Sequence, residues 1–212
     1  MKIAILGAGN VGNTLGKGWA NANHEIAFGV RAPQSEKVQT ILVQMGSQAS
    51  AATVPDAVKD ADVVVLATPW QSAQAVLESA GDLTGKVLLD VTNPLTEDFS
   101  ALTMGYTTSG AEQVAVWAPG ARVYKVFNQT GWETMANPMF GTGKAVMFVA
   151  GDEADGKAIS LQLATELGFE AIDVGPLTEA RLLEPLAMLW IKLAHVYGQG
   201  RDIAFALLRR QS

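Results

Sequence analysis

A parallel α/β sheet, doubly wound and followed by C-terminal helices, is the fold this sequence predicts, and three observations predict it. Short β-rich apolar runs alternate with stretches of helical periodicity along most of the 212 residues. One run, Asp62 to Ala67, contains Val-Val-Val-Leu and is apolar without alternation, as a strand covered on both faces must be. The first run leads into the first helix through a glycine-rich turn, Gly7-Ala8-Gly9-Asn10-Val11-Gly12.

The elements follow in order. Lys2 to Leu6 is a short β-rich run and Asn10 to Ala22 carries helix-like spacing, so the chain opens as strand, turn, helix. Glu25 to Val30 reads as a second strand. Gln34 to Met45 is helical, because Val38, Ile41, Leu42 and Met45 recur three or four apart, and Pro55 to Lys59 is a short helix leading into the 62–67 strand. A helix at Gln71 to Ser79, a strand at Lys86 to Val91, a helix at Ser109 to Trp117 and a strand at Arg122 to Phe127 continue the alternation. A strand at Ala145 to Ala150, a helix at Glu153 to Leu167 and a strand at Glu170 to Val174 close it. Short connections of this kind call for right-handed crossovers, a Rossmann-like order. Residues 178–210 read as helical, with Thr178 as N-cap and Gly198 and Gly200 dividing them into two pieces. The expected organisation is one domain over residues 1–177 with a helical appendage, 178–212, packed on it.

Composition removes several classes of function. Apolar residues make up 49% and charged residues 17%, which suits a globular sheet protein. A formal net charge of -6, with Lys and Arg scattered, argues against nucleic-acid binding. The absence of cysteine excludes disulfides, thiolate nucleophiles and cysteine metal sites. His24 and His195 are the only imidazoles and stand too far apart in sequence for a recognisable ligand set, so no metal is expected. Met1-Lys2 runs directly into the first strand without the apolar region of a signal peptide, and the stretch Leu182 to Leu193 is interrupted by Glu184, Pro185 and Lys192. A cytoplasmic protein with no membrane partner is expected.

The turn carries the chemistry. Gly7 permits a tight bend, Gly9 lets a pyrophosphate approach the backbone, Gly12 lets helix and strand pack closely, and the helix N-terminus offers N–H groups to phosphates. Where NAD is bound, an acid about 20 residues further on holds the ribose hydroxyls. Here Gly29-Val30-Arg31 stands in that place, and Arg31 pairs with a 2′-phosphate that a carboxylate would repel. NADP(H) is therefore the expected cofactor, with Lys37 either assisting or simply solvated. Open parallel sheets bind ligands beyond the carboxyl ends of their strands. Thr68-Pro69-Trp70, Asn93 and Asn128 lie at three such ends, where hydroxyl and amide groups either contact ribose and carboxamide or only terminate strands. Trp70 is large enough to be core instead. Asp90, inside an apolar strand, reads as a hydrogen-bonded structural carboxylate.

Taken in order, Gly7 to Gly12, Gly29 to Arg31, Thr68-Pro69-Trp70, Asp90 to Pro94, Lys125 to Asn128, Ala150-Gly151-Asp152 and Asp173 to Leu177 resemble the deazaflavin-dependent NADP reductases of archaea and bacteria. They are also similar to the cytoplasmic domain of the animal six-transmembrane metalloreductases. The resemblance implies hydride transfer between the nicotinamide of NADP(H) and a second ring, coenzyme F420 or a flavin. It implies phosphate binding at Asn10 and Val11, 2′-phosphate binding at Arg31, and nicotinamide or second-ring contacts near Pro69, Trp70, Asn93, Asn128, Pro176 and Leu177. Val30, within the 2′-phosphate segment, stands where that family commonly has Ser or Thr, which removes one expected phosphate ligand. Direct transfer to haem is not expected, since the metalloreductases' membrane portion has no counterpart here.

Hydride transfer between stacked rings needs alignment more than a protein acid or base, so no catalytic residue is expected. An NADPH-dependent carbonyl or imine reductase would need a proton donor, for which Lys125 and His195 are the candidates, and a non-catalytic NADP sensor would share the same cofactor motif. Both alternatives stay open on the residues alone. Leu182, Leu186, Leu189, Trp190 and Leu193, followed by Ile203, Phe205, Leu207 and Leu208 in a last helix, exceed what one core needs. A homodimer whose C-terminal helices complete the second-ring pocket is expected. Met135 to Lys144 reads as a surface loop.

Overall fold

The first strand, β1 (Lys2–Leu6), buries Ile3, Ala4, Ile5 and Leu6, and successive strand side chains point to opposite faces, so its sheet has to be covered on both sides. In the computed structural model, which describes residues 1–210, β1 lies between β2 (Glu25–Gly29) and β4 (Val63–Leu66), both parallel to it. β3 (Ala49–Ala52) adds outside β2, and β5 (Val87–Asp90) and β6 (Arg122–Lys125) add beyond β4, all in parallel. The direction then reverses. β9 (Val146–Gly151) runs antiparallel to β6, and β10 (Glu170–Asp173) is parallel to β9. The mostly parallel sheet has eight strands in the order β10-β9-β6-β5-β4-β1-β2-β3, and β7 (Met139–Phe140) pairs β8 (Gly143–Lys144) in a separate hairpin.

Helices cover both faces. On one, α1 (Asn10–Asn21), α2 (Glu36–Met45), α6 (Trp132–Ala136) and α7 (Ala154–Glu166) bury Leu15, Trp19, Ile41, Met135 and Leu163 with Ile3, Ile5, Val63 and Val65. On the other, α3 (Val54–Lys59), α4 (Trp70–Ala80), α5 (Gly110–Trp117) and α8 (Ala180–His195) bury Ala57, Leu77, Val114 and Ala180 with Leu6, Val64, Leu66 and Leu88. Each fully buried Leu, Ile or Val contributes roughly 1.5–3 kcal/mol by leaving water. Among the described residues no helix is long and apolar enough to cross a membrane.

The sequence reading needs correction at three places. β3 is Ala-Ser-Ala-Ala, which has no β-branched residue; its register against Ile26 to Gly29 makes it a strand. The 135–144 loop overlaps the end of α6 and contains the β7–β8 hairpin. At the C-terminus only one of the two expected helices forms. Thr178 sits in a 3-10 turn (Leu177–Glu179) and α8 follows with Glu179 at its cap, but residues 196–210 are not helical. Gly198 and Gly200 are left-handed, with φ 71° and 73°, and the segment's carbonyls go elsewhere. Phe205 C=O accepts from the Val146 N–H at 2.9 Å and Ile203 C=O from the Trp190 indole at 2.8 Å. Ile203, Phe205, Leu207 and Leu208 therefore belong to an extended strap. Gln211 and Ser212, the end of the expected appendage, lie outside the described residues.

Candidate functional site

Two glycines of the opening turn are fixed by the backbone itself. Gly7 has φ 115°, and a Cβ there would stand 2.5 Å from the Ala67 carbonyl oxygen; one on Gly12 would stand 2.2 Å from that of Gly7. Gly9 differs: a Cβ would meet nothing within 4 Å, so internal packing does not demand glycine and the space beside it is open. That space adjoins the start of α1, which has no side-chain cap and no acidic residue in its first turn. Its unpaired N–H groups and positive dipole end form an anion site. Nearby, Asn13 Oδ1 and Thr68 Oγ1 are buried and have no hydrogen-bond partner among the described residues. An open cradle, uncapped donors and orphaned polar atoms fit a dinucleotide's phosphates and ribose.

The cradle opens into a cleft of about 750 Å³ at the point where strand order reverses, between β1 and β4. Gly7 to Gly9, Gly29 to Ala32, Ser35, Lys37, Ala67 to Pro69 and Val76 line it, so the fold brings Gly7, Gly9, Val30, Arg31, Thr68 and Pro69 into one cleft. Arg31 is exposed, and no carboxylate among the described residues pairs with it. Lys37 shares the cleft. Ser35 does too: it caps α2, yet its side chain makes no capping bond, leaving the hydroxyl free. The sequence reading places Ser35 inside the 34–45 helix, whereas α2 begins at Glu36; a hydroxyl four residues after Arg31 was the available signal. Asn10 lies in an adjoining hollow with Asn13 and Lys37, and Val11 is half-buried against the core.

The other expected residues sit further along the same sheet edge. Register aligns Leu6 with Leu66, Leu66 with Asp90, and Asp90 with Lys125, so the chain leaves β1, β4, β5 and β6 at one level. Asn93 and Asn128 are locked to each other: Asn93 Nδ2 donates to the Asn128 carbonyl at 2.8 Å, and Asn128 Nδ2 donates to Asn93 Oδ1 at 3.0 Å and to the Leu183 carbonyl at 3.1 Å. Phe127, just before, is fully buried at φ 60°, a costly conformation for an aromatic residue. Its ring is wedged edge-on against Trp19 and Phe169. Trp70 is half-buried and packs on Trp117 with ring centroids 5.0 Å apart. Pro176 is exposed, while Leu177 is buried and donates its N–H to Asp152 Oδ1 at 3.0 Å. Trp70, Asn93, Asn128, Pro176 and Leu177 do not line the 750 Å³ cleft itself.

Behind the asparagines lies an ionic cluster with no solvent exposure. Lys125 Nζ is 2.8 Å from Asp90 Oδ2, 2.8 Å from Glu184 Oε1 and 2.7 Å from the Thr92 carbonyl oxygen. Burial alone would lower the Lys125 pKa, but the Asp90 and Glu184 carboxylates hold it above its ordinary value. Asp90 is the structural carboxylate expected. Glu184 appeared in the sequence only as a break in an apolar stretch; an acid on the leucine-rich face of a helix was the clue. His195 is exposed, its Nε2 accepting from Arg201 Nη1 at 3.0 Å.

Residues 2–94 match the profile of the family described as NADP oxidoreductase, coenzyme F420-dependent. The chain is 31% identical over 210 residues to the F420-dependent NADP reductase of Methanothermobacter thermautotrophicus, covering 91% of this chain and 89% of that protein. It is 28% identical over 192 residues to metalloreductase STEAP3 of Rattus norvegicus, covering 89% of this chain but 37% of that longer protein. A crystal structure provisionally assigned as an F420-dependent NADP reductase of Arthrobacter sp. FB24 superposes with a TM-score of 0.89 at 34% identity, covering 99% of this chain and 100% of that one.

Proposed function

We propose, from the premise that the chain belongs to the F420-dependent NADP reductase family and is an NADP-dependent oxidoreductase, that its second ring is a flavin or deazaflavin such as coenzyme F420. In this reading the pyrophosphate rests on Gly7, Gly9, Asn10, Val11 and Gly12, and the 2′-phosphate rests against Arg31 beside Val30. The observation that carries its NADP(H) half is the pairing, in one cleft, of an uncapped helix N-terminus with an arginine that no carboxylate among the described residues neutralises; the second ring rests on the family. Ser35 supplies the hydroxyl that Val30 lacks, and Lys37 adds a second charge at the same end.

When bound, the nicotinamide gives or takes a hydride. The chain's own work is alignment. Thr68 orients the ribose, and Asn93 and Asn128, already rigid through their mutual bonds, fix the carboxamide. Pro69, Trp70, Pro176 and Leu177 form the apolar surroundings of the second ring. Lys125 is no proton donor to a substrate, because each of its three N–H groups already has a buried acceptor. His195, exposed at the end of α8 and engaged by Arg201, does not line the cleft either, and together these favour ring-to-ring transfer over carbonyl or imine reduction.

Along α8, Leu182, Leu186, Leu189 and Leu193, then Val196 just beyond it, recur at alternating spacings of four and three; Leu182, Leu189 and Val196 are exposed and the other two half-buried. A homodimer through this stripe, in the cytoplasm, is part of the proposal. The deciding experiment follows reduced-nicotinamide absorbance with NADPH or NADH against coenzyme F420, FMN, FAD and small carbonyls. NADPH-selective turnover with one ring compound is expected; turnover with carbonyls alone overturns the ring assignment, and tight NADPH binding without turnover leaves a sensor.

A further inference from the structure

The buried cluster at the ends of β5 and β6 does not balance in charge: two carboxylates face one ammonium. Asp90 Oδ1 receives the Thr92 N–H at 2.9 Å and the Thr92 hydroxyl at 2.7 Å, while Oδ2 receives Lys125. Glu184 Oε1 receives Lys125 and the Ala111 N–H at 3.0 Å, and Oε2 receives the Gly110 N–H at 2.8 Å. All four carboxylate oxygens thus face N–H donors, and the one partner with a lone pair, the Thr92 hydroxyl, already donates to Asp90 Oδ1. Lys125 spends its third N–H on the Thr92 carbonyl, so no further cation enters the cluster. One net negative charge is therefore sealed in the protein, steadied by the N-terminus of α5. It lies next to Asn93, since Thr92 is part of the cluster, and beside Asn128, which bonds the carbonyl of Leu183, the residue before Glu184.

We propose that this surplus charge biases the site toward oxidised nicotinamide. The inference rests on the reading that places the nicotinamide at Asn93 and Asn128. A reduced nicotinamide ring is neutral; on losing a hydride, one proton with two electrons, to the acceptor ring, it carries one positive charge. A fixed buried anion close behind stabilises only the oxidised form, in a setting where solvent screens little. The cluster touches neither ring. It acts through its field, and it makes bound NADPH a better hydride donor than free NADPH.

The test is a charge ladder read by binding. NADP⁺, NADPH and 2′,5′-ADP, which lacks the nicotinamide, are titrated against the full chain and against Glu184→Gln, Asp90→Asn and Lys125→Met/Glu184→Gln, after thermal melts have established which variants fold. The single variants neutralise the cluster, whereas the double variant, read also at raised pH so that its one remaining carboxylate is ionised, returns it to one net negative charge with different side chains. The ratio Kd(NADP⁺)/Kd(NADPH) is expected to rise roughly three- to tenfold in either single variant, the range for one unit charge acting across a protein interior. It is expected to return near the native ratio in the double variant, with 2′,5′-ADP unaffected throughout. A constant ratio, whether affinities stay or fall together, overturns the proposal, and so does a double variant that follows the singles. If Asn93→Ala and Asn128→Ala bind NADPH as the native chain does, the placement of the nicotinamide fails, and the proposal with it.

Discussion

Arg31 enters the cleft with a charge that no carboxylate among the described residues compensates, and its worth can be read separately from that of its neighbour Ser35. A charge-assisted hydrogen bond contributes about 1.5–3 kcal/mol and a neutral one about 0.5–1.5 kcal/mol. Arg31→Ala is therefore expected to weaken NADPH on the order of tenfold or more with NADH unchanged, and Ser35→Ala to do the same by about two- to tenfold. Isothermal titration with both cofactors checks each value; equal losses for NADH would remove the 2′-phosphate from this end. Thr68 makes the complementary case. Its hydroxyl is buried without a partner among the described residues, so Thr68→Val is expected to leave the melting temperature unchanged or raised while KM for NADPH increases. A fall in melting temperature with unchanged KM would show that the hydroxyl serves the fold. Of these three, Arg31 and Thr68 were legible because they follow predicted strands. Ser35 was not, because helical periodicity absorbed it into the 34–45 stretch, and only the structure shows it ahead of α2 with its side chain unused as a cap.

Among elements, legibility followed apolarity. Val63 to Leu66 and Val87 to Leu89 announce themselves, since a strand sealed on both faces has to be apolar throughout. β3 and the strap at 196–210 are set by partners distant in sequence, which no local pattern encodes. Besides the bonds to the Phe205 and Ile203 carbonyls, Arg201 adds two ties to the strap. Arg201 donates to both carboxylate oxygens of Glu133, at 2.5 and 2.9 Å, and its guanidinium lies over the Trp190 ring. Arg201 holds the Glu133 carboxyl below its ordinary value of 4.5, against the opposing effect of burial. Because the folded value is depressed, this tie contributes fully above pH about 4.5 and is lost as pH falls below that through the folded value. The exchange protection factor of the Val146 amide is expected to drop in that acid range, and in Arg201→Ala to be low already at neutral pH. Equal protection in native and variant chains would mean that the pair does not hold the strap.

For the molecule as a whole, the Asp90–Lys125–Glu184 cluster ties β5, β6, α5 and α8 into one body. Removing one member of a buried pair strands a charge at a cost of about 3–5 kcal/mol, whereas removing two together costs less than the sum. Lys125→Met is therefore expected to lose most of the protein's stability to urea, with Lys125→Met/Glu184→Gln markedly more stable; the reverse order would mean that the ammonium adds nothing to the fold. The doubly wound order was readable from alternation alone. The reversal at β9 and this cluster were not, because both join residues far apart in sequence. Glu184 also sets a timetable. A ribosome delivers the whole phosphate cradle, then both asparagine-bearing strand ends, long before α8. Until that helix emerges, Lys125 has a single carboxylate and the amides of Gly110 and Ala111 lack their acceptor. Nascent chains stalled after residue 177 are thus expected to be retained on a 2′,5′-ADP resin yet to gain nothing from the nicotinamide half, so that cofactor acquisition finishes only when synthesis does.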